Sequence, residues 1–393
     1  MKLLYVATDQ IVPGSTGGSV HVEEVASGLA QRGHEVHVVA RKNESSPEPE
    51  SFQLHRPQPL LQHRWFRWSA EKSIGDLMDR LGVDVVLERY YNFAGEGVRA
   101  AHRRGVPSVL EVNSPVVDHP GSVKALLDGM LLRRPMRRLR EEQCQKATAL
   151  ITPLPSIVPS NVPREKVHQI HWGANVERFQ PGLTPRGNAE AVPIPLDARV
   201  VVFSGSFRYW HGADVLVRAG TRVLESSGGK KAFFLFLGSG PGWSRVRQEI
   251  ERLGVQSRCH LTGAIPYVEM PHYLARCHIG VAPYQPSRHG QLKLGFYWSP
   301  LKIFEYMASG LPTITLDINP LREIVRQGKE GLLFEERDEE ALARAITELV
   351  ASPERAREMG TSARVRIVAH YSWQAHCEKL EHVLMGLVFD KSG

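Results

Sequence analysis

The sequence is poor in the features that would place it in several common classes. No run of apolar residues approaches the roughly 20 that a helix needs to cross a bilayer, so an integral membrane protein is not expected. Cysteine is scarce: Cys144, Cys259, Cys277 and Cys377 lie far apart, and none forms a CxxC pair. That spacing points to neither a zinc site nor a disulfide framework, and the four read as reduced packing residues. The N-terminal MKLLYVATDQIVPG is interrupted by Asp9 and Gln10 and is followed by no small-residue cleavage site. It reads as a first buried strand rather than a signal peptide, and a cytoplasmic protein is expected. Acid is the minority charge, 42 Asp and Glu against 49 Lys and Arg, for a net charge of +7. An anionic partner follows, whether a phosphorylated small molecule, a membrane surface or nucleic acid. The last has no reader motif to support it.

What is present is one theme played twice. Leu3 to Thr8 is a continuous apolar run of the kind buried on both faces of a parallel sheet. After it come the loop GSTGGS, Gly14 to Ser19, the helical pattern VHVEEVASGLAQRGH and a second strand, EVHVVAR, which together make a βαβ unit. DVVLERY and PSVLEVN continue the alternation, and from Val200 it restarts with VVVFSGSF, AFFLFLGSGPG, HLTG, IGVAPY and PTITL. Between the halves, Gln180 to Ala198 is rich in Pro and Gly and reads as a linker. At 393 residues the chain has room for two domains, placed here at residues 1–185 and 196–373. An α/β fold with two doubly wound sheets is the simplest architecture.

In such sheets ligands bind in the loops at the carboxyl ends of the strands. The glycines of GSTGGS, Gly17 and Gly18 above all, allow close backbone approach and offer amides at a helix start, which suits a phosphate or sugar; a tight turn holding nothing is the plainer alternative. The loop is not GxGxxG, and the next strand ends in Ala40, Arg41 and Lys42, with no acid to grip a ribose. A nicotinamide or flavin dehydrogenase is therefore disfavoured.

The second half holds FYWSPLKIFEYMASGLPTIT, Phe296 to Thr315. Ser299 as N-cap and Pro300 at the first helical position predict a helix that stops at Gly310 and Pro312. Glu305 then falls in the second turn among Phe304, Tyr306 and Met307. It could be a plain complement to the helix dipole, but an ionised carboxylate in apolar surroundings needs hydrogen-bond donors, and the two adjacent hydroxyls of a ribose supply them. Lys302 and the free amides of the same helix start could hold a diphosphate.

SPLKIFEYMASGLPTIT resembles the C-terminal signature of family 4 retaining glycosyltransferases. GGSVHVEEVASGLAQRGHEVHVVAR, HWGANVERFQP, FSGSFRYWHGADVLVRA, EIVRQGKEGLLFEERDEEALARAI and YSWQAHCEKLEHVL are similar to other segments of that family, in order along nearly the whole chain. The resemblance implies the GT-B fold, two Rossmann-like domains facing each other across a cleft, with a final helix, residues 374–390, crossing back onto the first. It implies sugar transfer from a nucleotide-diphosphate donor, UDP- or GDP-linked, with retention of configuration, no metal and no other cofactor; no DxD motif occurs in the chain. Glu305 matches the second glutamate of the family's E-x7-E pattern and would bind the donor ribose. The first falls on Tyr297, and the family's diphosphate-binding arginine and lysine fall on Ser206 and His211. Arg208 and Lys302 are the cations that could replace them and stabilise the departing diphosphate. Gly238 and Ser299 complete the donor-binding candidates.

No nucleophile for a double displacement is evident, so front-face attack assisted by the leaving phosphate is preferred. Asn113, Asp118 and His119, after PSVLEVN, are acceptor-side candidates at a strand end, where an ordinary loop residue is the alternative. LLQHRWFRW and the arginine-rich LLRRPMRRLR, Leu131 to Arg140, suit peripheral contact with an anionic membrane near a lipid-linked acceptor, or else form solvated basic faces. A hexosyltransferase building a cell-surface glycan or glycolipid is the leading reading. An epimerase or sugar-phosphate synthase on the same fold, and a binding protein without catalysis, are the alternatives.

Overall fold

The computed structural model describes residues 1–14, 16–43, 47–57, 64–91, 94–116, 133–290, 292 and 295–389, with backbone alone at 64–66 and 133–137. The chain divides into two compact units: Met1–Trp172 with Tyr297–Ser299 and Trp373–Gly393, and Gly173–Phe296 with Pro300–Ser372.

The first unit runs β1 (Lys2–Val12), α1 (Gly17–Gln31), β2 (Glu35–Lys42), β3 (Gln53–His55), α2 (Glu71–Leu81), β4 (Val85–Arg89), α3 (Glu96–Arg104), β5 (Ser108–Glu111), α4 (Arg133–Lys146), β6 (Ala149–Thr152) and β7 (Val167–Gln169). Among the described residues its strands form one parallel sheet in the order β3-β2-β1-β4-β5-β6-β7. Leu3 to Ala7 of β1, an interior strand, are buried on both faces, which explains why the run is apolar without alternation. The strand is longer than its apolar core and continues to Val12 through a register shift between Val6 and Ile11. The C-terminal helix, Trp373–Phe389, packs on α1 of this unit. Gly28 permits that approach, since a Cβ there would lie 2.5 Å from Cys377 Sγ. At the other end of the contact, Glu381 accepts from Arg32 Nε and His34 Nε2, each at 2.7 Å.

The second unit contains β8 (Arg199–Ser204), α5 (Ala213–Glu225), β9 (Ala232–Leu237), α6 (Trp243–Arg252), β10 (Cys259–Leu261), α7 (Met270–Leu274), β11 (Ile279–Ala282), α8 (Leu301–Ala308), β12 (Thr313–Leu316), α9 (Leu321–Ile324), β13 (Gly331–Phe334), α10 (Glu339–Ala351) and α11 (Pro353–His370), which makes the C-terminal helix α12. Its described strands are again all parallel, in the order β10-β9-β8-β11-β12-β13. Both sheets reverse their strand order once, beside β1 in the first and beside β8 in the second, and such switch points open a crevice at the strand ends.

The segment expected to be a linker is tied down instead. Arg276 Nη1 donates to the carbonyls of Ala189, Glu190 and Val192 at 2.6, 2.9 and 2.9 Å, and His272 Nδ1 meets the Thr184 carbonyl at 3.0 Å. Its prolines and glycines mark a docked surface turn whose backbone acceptors are satisfied by side chains of the second unit.

Candidate functional site

In the second unit, the apolar run around Glu305 is explained by what its neighbours hold. The Tyr306 hydroxyl accepts from the Ser204 amide at 2.6 Å, pinning α8 to the end of β8, and its ring lies against Gly280 of β11, where a Cβ would come within 2.4 Å. Phe304 stacks on Tyr371 at 5.4 Å. Every residue from Lys302 to Ala308 is buried. The helix starts later than its sequence suggests: Leu301 is the first helical residue and Pro300 occupies the cap position, with no side-chain cap bond. Ser299 is therefore not the N-cap. Its hydroxyl is spent on the Trp172 amide, at 3.3 Å, within the first unit.

Two side chains of α8 are ionisable and almost fully enclosed, Lys302 and Glu305 each being 7% exposed. Lys302 Nζ makes no hydrogen bond. It sits 4.1 Å from the centroid of the Phe203 ring and 5.3 Å from that of Tyr284, so cation–π attraction partly offsets its lost hydration. Burial pulls its pKa down to about 7, against the pull of Glu305. Burial likewise pushes Glu305 up to about 7, opposed by a hydrogen bond from Tyr267 and by Lys302. A buried lysine without a partner costs stability, and the fold keeps it.

The loops that face Lys302 leave β8 and β9. Gly205 has φ +132°, and a Cβ built there would lie 3.1 Å from Lys302 Nζ and 3.7 Å from His211 Nδ1. Both nitrogens thus hang over one stretch of bare backbone, and both lack a hydrogen-bond partner. Gly238, at φ +114°, is required by packing: a Cβ would fall 2.3 Å from the Gly205 carbonyl, so only glycine lets the two loops touch. His211 is driven down to about 2 by burial and then by Lys302 and Arg208. Its ring hydrogen-bonds the Ser206 carbonyl while Nδ1 is bare, so the neutral ring carries its proton on Nε2. Ser206 and Arg208 are exposed on the same loop. The structure therefore gathers Lys302, His211, Gly205, Gly238, Ser206 and Arg208 at the switch point of the second sheet, with Glu305 one turn further along α8.

The other candidates fall elsewhere. Tyr297 belongs with the first unit, its ring 4.9 Å from that of Trp298. Burial raises its phenol pKa, and it supplies no carboxylate. Gly17 and Gly18 form the first turn of α1, behind Thr16, whose hydroxyl caps the Ser19 amide at 3.2 Å. Asn113 Oδ1 accepts from Trp172 Nε1 at 3.1 Å. Asp118 and His119 lie outside the described residues. Of the basic clusters, residues 60–63 and 131–132 are also outside them. Within the described part, Arg67 lies over Tyr91, Trp68 is half exposed, and Arg140 is buried rather than on a solvated face.

Sequence reading missed a buried polar network at the strand ends of the first sheet. His21 of α1 is fully enclosed and bonds Glu111 through Nε2, while Tyr5 donates to the other Glu111 oxygen at 3.0 Å. The His21 ring stacks on Trp172 at 4.2 Å and 12°. Burial holds His21 well below and Glu111 above their ordinary pKa values, so both tend to neutrality. The one available signal was a histidine on the inward face of the helix behind GSTGGS.

Two family profiles match the chain, one described as "Glycosyl transferases group 1" over residues 198–352 and one as "Glycosyltransferase Family 4" over residues 15–178. A D-inositol 3-phosphate glycosyltransferase of Thermobispora bispora is 26% identical, covering 95% of this chain and 91% of that protein. Among solved structures, a sucrose-phosphate synthase from Thermosynechococcus elongatus superposes with a TM-score of 0.75 at 19% identity, over 98% of each chain. HepE of Anabaena, in complex with UDP, gives 0.74 at 13% identity over 98% of this chain and all of that one.

Proposed function

Because the chain belongs to the family 4, group 1 glycosyltransferases, built on the GT-B fold, we propose that it moves a hexosyl unit from a UDP- or GDP-linked sugar to a glycan or glycolipid acceptor, with retention of configuration. The observation that supports this reading best is Lys302 Nζ, buried and unpartnered above the Gly205 backbone. A diphosphate at that point would give the ammonium the partner it lacks and raise its pKa. As the bridging oxygen takes up charge, a fixed cation in a water-poor pocket stabilises it without reorganising. Glu305 holds the ribose hydroxyls, with Tyr267 keeping its carboxylate oriented. His211 meets the diphosphate at Nδ1, and the anion's charge favours protonation of that nitrogen. Arg208, exposed at the rim, adds a second positive charge. The exposed Trp68 and the basic segments around it are the proposed contact with an anionic membrane.

The reaction test is nucleotide release from UDP- and GDP-sugars with lipid-linked glycans and, since a relative is named for D-inositol 3-phosphate, with inositol phosphates. Release that needs an acceptor, giving a product of unchanged anomeric configuration by NMR, is the expected result. Sugar epimerised without transfer would replace this reading with an isomerase. Leaving-group charge is assigned here to side chains and backbone, so EDTA is expected to leave turnover intact. Loss of activity restored by manganese or magnesium would overturn that assignment.

Donor affinity is expected to depend on pH in two opposed ways. Lys302 titrates near 7, so the form that binds diphosphate is lost as pH rises through that value. Glu305 titrates near the same value, so its ribose-binding carboxylate is gained over the same interval. In Glu305→Gln only the alkaline fall should remain, and in Lys302→Met only the rise. Profiles that keep the wild-type shape in both variants would remove these two groups from the donor site.

A further inference from the structure

At the opposite, N-terminal end of its strands, the second unit contains a cavity of about 150 Å³ that shares no lining residue with the donor site. Arg199 at the first position of β8, His278 just before β11 and Arg357 of α11 supply its polar lining, and Leu311 and Leu349 are among its apolar walls. The three polar groups are mutually close: burial, then Arg199, then Arg357 hold the His278 imidazole below its ordinary pKa. No carboxylate pairs with either guanidinium among the described residues. Of the acids beside the lining residues in sequence, Asp197 pairs with Lys231 and Glu348 with Arg355, and Glu354 and Glu358 are exposed. His278 is set as a donor too. Its Nδ1 accepts from the Val200 amide at 3.1 Å, which leaves the ring proton on Nε2.

A cavity lined by two arginines without a carboxylate partner and by an imidazole set as a donor has the composition of a phosphate site. Drug-sized ligands occupy about 300–1,000 Å³, so this space admits only a compact anion. We infer that this cavity binds one phosphate group, as the inorganic ion or as the head of a small monoester whose body rests on Leu311 and Leu349. The site stands independently of the donor chemistry proposed above.

The test is calorimetric titration of inorganic phosphate and of glycerol phosphate, at constant ionic strength, into the full chain carrying Lys302→Met, which removes the buried cation of the donor site. One saturable site per chain is expected, weakened at least tenfold by Arg199→Gln combined with Arg357→Gln. Both arginines are at the surface and the variant should keep its circular dichroism and melting temperature; the single charge reversal Arg357→Glu provides a second, milder probe with the same expected direction. Tighter binding of the ester would assign the apolar walls to the ligand body, and equal binding would assign the site to the free ion. Absence of saturation with both anions, or affinity indifferent to all of these substitutions, would overturn the inference.

Discussion

Lys302→Met is expected to lower kcat by about 10²–10³-fold, the usual loss when one preorganised donor to a developing oxyanion is removed. KM for the donor should rise less than kcat falls, because the bridging oxygen carries more charge in the transition state than in the bound donor. Methionine keeps most of the stem that packs on Phe203 and Tyr284, so the loss reports charge rather than a cavity. Stability should move the other way. A lysine whose folded pKa is depressed binds fewer protons folded than unfolded between about pH 7 and its ordinary value, so its cost to the fold is greatest below that window. Replacing it should leave the melting temperature at neutral pH unchanged or higher. If Arg208 acts on the same leaving group, the double variant should lose less than the sum of the two single losses. Full turnover in Lys302→Met would place the departing charge elsewhere, on Arg208, His211 and the backbone amides.

Glu305→Ala should act on affinity rather than on chemistry. It deletes two charge-assisted hydrogen bonds to ribose, worth about 1.5–3 kcal/mol each, so the donor Kd should rise well over tenfold. The fold should tolerate the change, because Glu305 is held near pH 7 by burial and contributes no ion pair beyond its weak coupling to Lys302. Removing it leaves Tyr267 without its acceptor, and Tyr267→Phe should therefore produce a smaller loss in the same direction. Unchanged donor affinity combined with a lowered melting temperature would assign Glu305 to the packing of α8.

The parts of this architecture that were legible in the sequence are those written in local chemistry. Continuous apolar runs such as Leu3 to Ala7 can be satisfied only in the middle of a parallel sheet. The Lys302 and Glu305 pair was visible because ionisable groups are rare inside a helix buried on all sides. What escaped reading depended on contacts distant in sequence. Ser299 carries a good cap signature, but the Trp172 amide claims its hydroxyl, and the helix begins one residue later than that signature predicts. The proline-rich stretch before β8 has linker composition, yet Arg276, 87 residues from Ala189, and His272 fix it. His21 and Glu111 are 90 residues apart, and neither neighbourhood alone predicts the buried bond between them.

Calorimetric titration of a panel of UDP- and GDP-sugars into the wild-type chain and into Lys302→Met and Glu305→Ala tests the central claim most directly. One nucleotide-sugar should bind saturably at one site per chain, and each substitution should weaken it at least tenfold. No saturable binding across the panel, or binding that ignores both substitutions, would contradict the assignment of the donor site to Lys302 and Glu305.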